Sequence, residues 1–323
     1  MKTRSASARV VAAVGVSLAL LLTGCGGGSD DDGDTPKAGG KGTAGSDDGE
    51  LAGASLTVGA KEFTESKVLA QITAEVLRNA GAEVDESSLS GSATVREALE
   101  KGEIDMYWEY TGTGWVNILG NTTTDVPEDL YEQVATADEA NEIAWLQPAP
   151  MNDTYRIAVT SDFASENSIA TMSDAAEFIK ANPDDGAVCA ASEFINRDDG
   201  LPGLEKAYGF EFSDVVELDL GLVYTQVGGE CNFGEVFSTD GRIVANDLTI
   251  LEDDQAFFVD YNAALTMRQE TLDEFPSLAD LMAPVSEALT DEEITKLNAS
   301  VDVDGESEAD VAKQWLEDNS LLG

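Results

Sequence analysis

The sequence predicts an α/β fold of two lobes, and three observations predict it. Strand-like runs alternate with helical periodicity from about residue 56 to 109. The same alternation restarts at 155 and continues to about 250. The folded part, roughly 270 residues, is enough for one large domain or two lobes of ordinary size.

Taken in order, Leu56-Thr57-Val58-Gly59-Ala60 reads as a buried strand. Lys61-Glu62-Phe63 follows as a turn, with Thr64 as a helix N-cap. Leu69, Ile72, Val76 and Leu77 recur at helical spacing until Gly81 stops the helix. A second strand is expected over 84–89, and a short helix over 94–101 ended by Gly102. Ile104, Met106 and Trp108 alternate with Asp105, Tyr107 and Glu109, the pattern of a strand with two distinct faces. This strand–helix–strand order predicts a mainly parallel sheet. In the second half, 155–160 and 187–191 are strand-like, whereas 173–180 and 204–208 are helical. Further strands are expected near Ile243 and Leu248, and helices return over 291–297 and 310–319. No repeat of fixed period is visible. Two lobes of this kind hold small ligands in the cleft between them.

The first residues address compartment. Lys2, Arg4 and Arg9 precede an apolar run over 10–22. A mature membrane helix needs about 20 apolar residues, so the run has the length of a secretory h-region instead. It ends in Leu22-Thr23-Gly24-Cys25, which resembles the lipobox of bacterial lipoproteins. That resemblance implies a signal peptide over 1–24, cleaved before Cys25, and lipid on Cys25 holding the chain to the outer face of the cell membrane. Residues 26–50 contain no large apolar side chain, so 25–50 is expected to be a disordered, lipid-anchored tether. Its root-mean-square reach is roughly 25–30 Å.

Composition excludes several classes. The 63 acids outnumber the 18 bases, for a net charge of −45, and the acids are spread along the chain. Nucleic acid and anionic headgroups are repelled by such a surface. The chain has no histidine, which removes Ser-His-Asp and Cys-His nucleophiles, the His-x-x-x-His zinc site and imidazole acid–base chemistry. Carboxylate-pair chemistry such as glycoside cleavage survives. Glu62, Glu65 and Glu109 could supply a pair, although such pairs arise by chance in a chain this acidic. No metal site and no cofactor are expected. Cys189 and Cys231 form an even pair in the mature body, and outside the cytoplasm an even pair usually closes a disulfide. Two buried free thiols are the alternative.

Two stretches together carry a family resemblance. Val58-Gly59-Ala60-Lys61-Glu62-Phe63-Thr64-Glu65 and Gly102 to Thr113 (GEIDMYWEYTGT) resemble the signature segments of the glycine betaine/choline-binding proteins of ABC importers. Arg197 to Gly203 (RDDGLPG) and Phe237 to Arg242 (FSTDGR) are also similar to that family, and the resemblance covers about 55–320. It implies a type II periplasmic-binding-protein fold, cluster-F-like, with two hinge crossovers. Lobe I would comprise 51–152 plus 258–323, and lobe II 153–257. It implies a monomeric, non-enzymatic solute-binding subunit that docks on a membrane permease driven by an ATPase. Residue by residue, it makes Tyr110, Tyr155, Phe237 and Tyr261 walls of an aromatic cage, with Asp153 as partial counter-charge. Lys61, Thr113 and Arg197 would hold a ligand carboxylate. Phe237 stands where the family usually has tyrosine, keeping the ring face and losing the hydroxyl.

What the ligand implied by that resemblance demands can be stated from its chemistry. A trimethylammonium group has no N–H donor, so ring faces must recognise it, each contributing about 0.5–2 kcal/mol. A carboxylate at its other end needs basic and hydroxyl donors. Taken singly, Tyr155 and Tyr261 read as core residues, and Trp108 and Trp115 as packing. Tyr110 differs because it ends a strand beside a Thr-Gly-Thr turn. The two basic groups favour a zwitterion such as glycine betaine over choline. A choline-specific protein, a surface-anchored glycoside hydrolase and a surface adhesin are the competing readings.

Overall fold

The computed structural model describes residues 49–322. The expected signal peptide, Cys25 and nearly all of the expected tether lie outside them. Among the described residues, ten strands form two five-stranded sheets flanked by helices. The first contains β1 (Ser55–Ala60), β2 (Glu83–Ser88), β3 (Met106–Tyr110) and β4 (Ile143–Trp145). The second contains β5 (Tyr155–Thr160), β6 (Ala187–Ala190), β7 (Asp214–Glu217), β8 (Phe233–Phe237) and β9 (Leu248–Ile250). The last strand, β10 (Ala263–Arg268), returns to the first sheet.

The strand orders are β2-β1-β3-β10-β4 and β7-β6-β8-β5-β9. Each sheet is mixed rather than mainly parallel. In the first, β1 pairs in parallel with β2 and β3, whereas β10 is antiparallel to β3 and β4. In the second, β6 is parallel to β7 and β8, whereas β5 is antiparallel to β8 and β9. The strands that break the parallel rule, β5 and β10, are those entered from the other sheet. The chain arrives there by a direct crossing instead of a helical crossover, so no right-handed βαβ unit fixes its direction.

The two crossings run side by side. Asn152 bridges Asn262, the Asp153 N–H donates to the Tyr261 carbonyl at 3.1 Å, and the Tyr261 N–H donates to Asn152 Oδ1 at 2.7 Å. Asp153, Tyr155 and Tyr261 are thereby gathered where the sheets meet.

Local differences from the sequence reading have physical causes. All five residues of β3 are buried, so its two faces are both interior. Met106, Trp108 and Tyr110 join one apolar cluster and Tyr107 another, as in a sheet covered on both sides by helices. The Thr64–Asn79 helix buries Val68, Leu69, Ile72 and Leu77, but its N-cap is Phe63, without a side-chain bond. The Thr64 hydroxyl instead donates to Asp302 Oδ1 at 2.7 Å. Ile243 lies in a short helix, Arg242–Ala245, and not in a strand. Asp240 accepts hydrogen bonds from the backbone N–H and side chain of Arg242 at the start of that turn. The Ser277–Ala288 helix escaped the periodicity reading because Pro284 sits inside it. Cys189 on β6 is disulfide-bonded to Cys231 in the turn before β8.

Candidate ligand-binding site

Strand ends build the site. β3 ends at Tyr110 and turns directly into a helical segment from Thr111. β5 starts at Tyr155 and β8 ends at Phe237, and the antiparallel register sets these two residues opposite each other. All eight residues singled out for ligand contact line one cavity of about 780 Å³: Lys61, Tyr110, Thr113, Asp153, Tyr155, Arg197, Phe237 and Tyr261.

The rings form a continuous wall. Tyr155 lies 5.1 Å from Phe237 and 5.4 Å from Tyr261, the latter edge-on at 83°. Phe63 closes the series, 5.1 Å from Phe237 and 6.1 Å from Tyr110. From the sequence alone Phe63 reads as a turn residue. Its position between Lys61 and Thr64 at a strand-to-helix turn was the available signal. Phe194, fully buried, backs Tyr155 at 5.1 Å. Gly112 is forced to be glycine here. A Cβ on it would lie 2.7 Å from the Tyr261 ring, so the close backbone approach of the Thr-Gly-Thr turn is to a ring of the wall.

Two of the ring hydroxyls, those of Tyr110 and Tyr261, are tied down. Tyr110 donates to Glu65 Oε1 at 2.9 Å, and Tyr261 donates to Asp199 Oδ2 at 2.5 Å. Burial, reinforced by those neighbouring carboxylates, pushes both phenols well up from their ordinary value and keeps the rings neutral. Neutral phenols present an electron-rich face to a cation.

The basic groups are buried and partly engaged. Lys61 Nζ donates to Glu109 Oε1 at 2.6 Å and sits 5.1 Å from the Tyr110 ring centroid. Arg197 forms a two-pronged pair with Asp199 at 2.8 and 2.5 Å, reaches Glu193 at 2.7 Å, and donates to the Thr113 hydroxyl at 3.2 Å. Asp199 and Glu193 were not singled out from sequence. Against burial, Arg197 holds the Asp199 carboxyl below its ordinary range, and Lys61 and Arg197 do the same for Glu193.

Acids nevertheless dominate the lining. Glu62, Asp153, Glu193, Glu217, Asp219 and Glu235 face three bases, Lys61, Arg197 and Arg242. Burial pushes Glu235 up to about 8, with the Ala191 N–H, at 2.7 Å, its one hydrogen-bond partner among the described residues. Burial and the adjacent Glu65 raise Asp153 well above its ordinary value. Such a cavity favours a cation. The carboxylates considered for glycoside cleavage do not face one another across it. Only Glu62 is on its lining, while Glu109 is locked by Lys61 and the Tyr107 hydroxyl. Among the described residues, no cluster of side chains is suited to hold a metal ion.

Comparison with known proteins shows the family of the chain. Residues 54–318 match the model of the OpuAC family, described as the substrate-binding domain of an ABC-type glycine betaine transport system. The chain belongs to this family. A glycine-betaine-binding protein of Pseudomonas aeruginosa is 35% identical over 280 residues, covering 83% of this chain and 88% of that one. The glycine betaine-binding protein YehZ of Escherichia coli is 33% identical over 273 residues, covering 81% and 89%. The solved apo structure of YehZ aligns with a TM-score of 0.62 at 31% identity, over 84% of this chain and all of that one. A crystal structure titled glycine betaine/carnitine/choline ABC transporter aligns with a TM-score of 0.68 at 25% identity, over 83% and 100%. As an OpuAC-family member the chain has the α/β fold of type II periplasmic binding proteins and is a substrate-binding component of an ABC importer. The family is one of transport and not of enzymes. Among the described residues no helix is long and apolar enough to cross a membrane.

Proposed function

We propose that this chain captures glycine betaine, or a closely related quaternary-ammonium osmoprotectant, and delivers it to an ABC permease. One observation carries the reading: Tyr110, Phe63, Phe237, Tyr155 and Tyr261 form an unbroken ring wall around a cavity whose lining is richer in acids than in bases. A micromolar site needs about 8 kcal/mol net, and three or four ring faces with a charge clamp supply that. The trimethylammonium head sits among the rings, with Asp153 as counter-charge. Lys61 takes the carboxylate, since its Nζ makes a single hydrogen bond, to Glu109, among the described residues. Thr113 and Arg197 complete the clamp.

Lobe I, 51–152 with 258–323, and lobe II, 153–257, close about the paired crossings near Asp153 and Tyr261. Because the ligand touches both lobes, its binding energy favours the closed form that the permease recognises. Lipid on Cys25 holds the monomeric protein to the outer face of the cell membrane. Choline is the second reading. It is favoured by the engagement of Arg197 with Asp199 and Glu193, which occupies much of its donor capacity.

A thermal-shift screen with glycine betaine, choline, carnitine, ectoine and simple sugars tests the proposal. Ligand at a hundred times its Kd adds about 2.7 kcal/mol of stability. A shift by glycine betaine and none by sugars is expected. Stabilisation by choline alone transfers the assignment to choline, and no shift with any quaternary ammonium overturns it.

A further inference from the structure

Behind the ring wall lies a polar cluster that ligand contact alone does not explain. Glu65, in the first turn of the Thr64–Asn79 helix, is 3% exposed and absent from the main cavity's lining. Asp153, on the crossing between the sheets, is 4% exposed and faces that cavity. Thr239, just after β8, stands between them. Its hydroxyl oxygen lies 2.6 Å from Glu65 Oε2 and 2.6 Å from Asp153 Oδ1.

A threonine hydroxyl has one proton to donate, and an ionised carboxylate can only accept. Two contacts of 2.6 Å are both hydrogen bonds, so one of the two carboxyls must itself donate and therefore carry a proton. The surroundings agree. Glu65 accepts further bonds from the Tyr110 hydroxyl at 2.9 Å and Asn298 Nδ2 at 3.0 Å, and Asp153 from the Thr239 N–H at 3.4 Å. No lysine or arginine is salt-bridged to either acid among the described residues. Lys61, beside Tyr110, is bonded to Glu109, while Arg242 is bonded to Asp240 and Asp302. Burial raises the proton affinity of both carboxyls. Two carboxylates bridged by one hydroxyl and buried cannot both stay charged.

We propose that Glu65 is a positioning residue of the cation site, sharing one proton with Asp153 until an arriving quaternary cation displaces that proton to solvent. The inference rests on the proposed cation ligand and deepens it. The balance is local: one positive charge enters the cage and one proton leaves it, so the charge around the ammonium is unchanged, while the ligand's carboxylate is met separately by Lys61, Thr113 and Arg197. Asp153 then turns full carboxylate character toward the methylated head, while Thr239, Tyr110 and Asn298 continue to hold Glu65. Below the pair's titration, proton and ligand compete for the same place.

Calorimetric titration of the wild-type protein with glycine betaine, in buffers of differing ionisation enthalpy, reads the exchange directly. The ligand's own carboxylate stays ionised across neutral pH, so released protons come from the protein. Near neutral pH, a release approaching one proton per ligand is expected, with Kd falling up to tenfold per pH unit until the pair has titrated. Glu65→Gln keeps a donor toward Thr239 and removes the shared proton, so its release should vanish and its pH profile flatten while binding persists. Glu235, on the same cavity and pushed up to about 8 by burial, also responds near neutral pH. A release that survives Glu65→Gln but disappears in Glu235→Gln therefore overturns the assignment. Binding with no proton release in the wild type, which requires no variant to fold, overturns the inference and leaves the ligand reading intact. No binding of any quaternary ammonium overturns both.

Discussion

Adding one methyl at Gly112 should weaken ligand binding without removing any ligand-facing side chain. A Cβ there would approach three Tyr261 ring atoms to 2.7–2.8 Å. Non-bonded carbons rest at about 3.5–4.0 Å, so the ring must retreat by about 1 Å. Its hydroxyl, 2.5 Å from Asp199 Oδ2, would then be carried past the ~3.0 Å limit of a good O–H···O bond. Displacing one cage face forfeits about 0.5–2 kcal/mol of cation–π attraction, which is about 2- to 30-fold in Kd. Overpacking adds about 1–3 kcal/mol of destabilisation. Calorimetry with glycine betaine measures the first effect and thermal melting of the ligand-free protein the second. In a Tyr261→Leu background, Gly112→Ala should cost little further affinity, because the ring it displaces is gone. Equal losses in both backgrounds would refute the route through Tyr261.

Three further outcomes follow from single features of the structure. Phe237→Leu keeps apolar volume between Phe63 and Tyr155 but removes a ring face; glycine betaine affinity should drop about 2- to 30-fold by calorimetry, and an unchanged Kd would remove Phe237 from the cage. Reducing the Cys189–Cys231 bond, which links residues 42 apart, should cost about 4 kcal/mol in the chain-entropy model and lower the melting temperature by on the order of 10 °C. Glu235 binds its proton more tightly folded, at about 8 against an ordinary 4.5, so the folded state holds the extra proton between those values and stability should decline as pH rises through that window. Urea unfolding at a series of pH values should show that decline, and Glu235→Gln should lessen it by Glu235's share.

How far the sequence could be read depended on how local each feature is. Lys61 and Tyr110 sit in contiguous motifs at strand ends, and such positions in an α/β lobe point toward a cleft. The buried strands around 56–60, 155–160 and 187–190 were visible because apolar runs need no distant partner to be recognised. The antiparallel entry of β5 and β10 was hidden, since direction depends on which segment the chain crosses from. Phe63 was hidden by its turn position, and only its contact with Phe237, far along the chain, reveals it as a wall. Glu65 looked like one acid among many. Its partners Asp153, Thr239 and Asn298 come from three other segments, so no spacing rule could unite them. Likewise the acids that engage Arg197 are near it in sequence, yet only geometry shows that they restrain it within the cavity.

The most direct measurement compares glycine betaine with 3,3-dimethylbutanoate, the same shape with carbon in place of the quaternary nitrogen. Recognition by ring faces and Asp153 requires the positive charge, whereas a merely apolar pocket with a carboxylate clamp would accept either molecule. Side-by-side calorimetry should find glycine betaine bound at least a hundredfold more tightly, about 2.7 kcal/mol. Equal affinities, or tighter binding of the carbon analogue, would contradict the account.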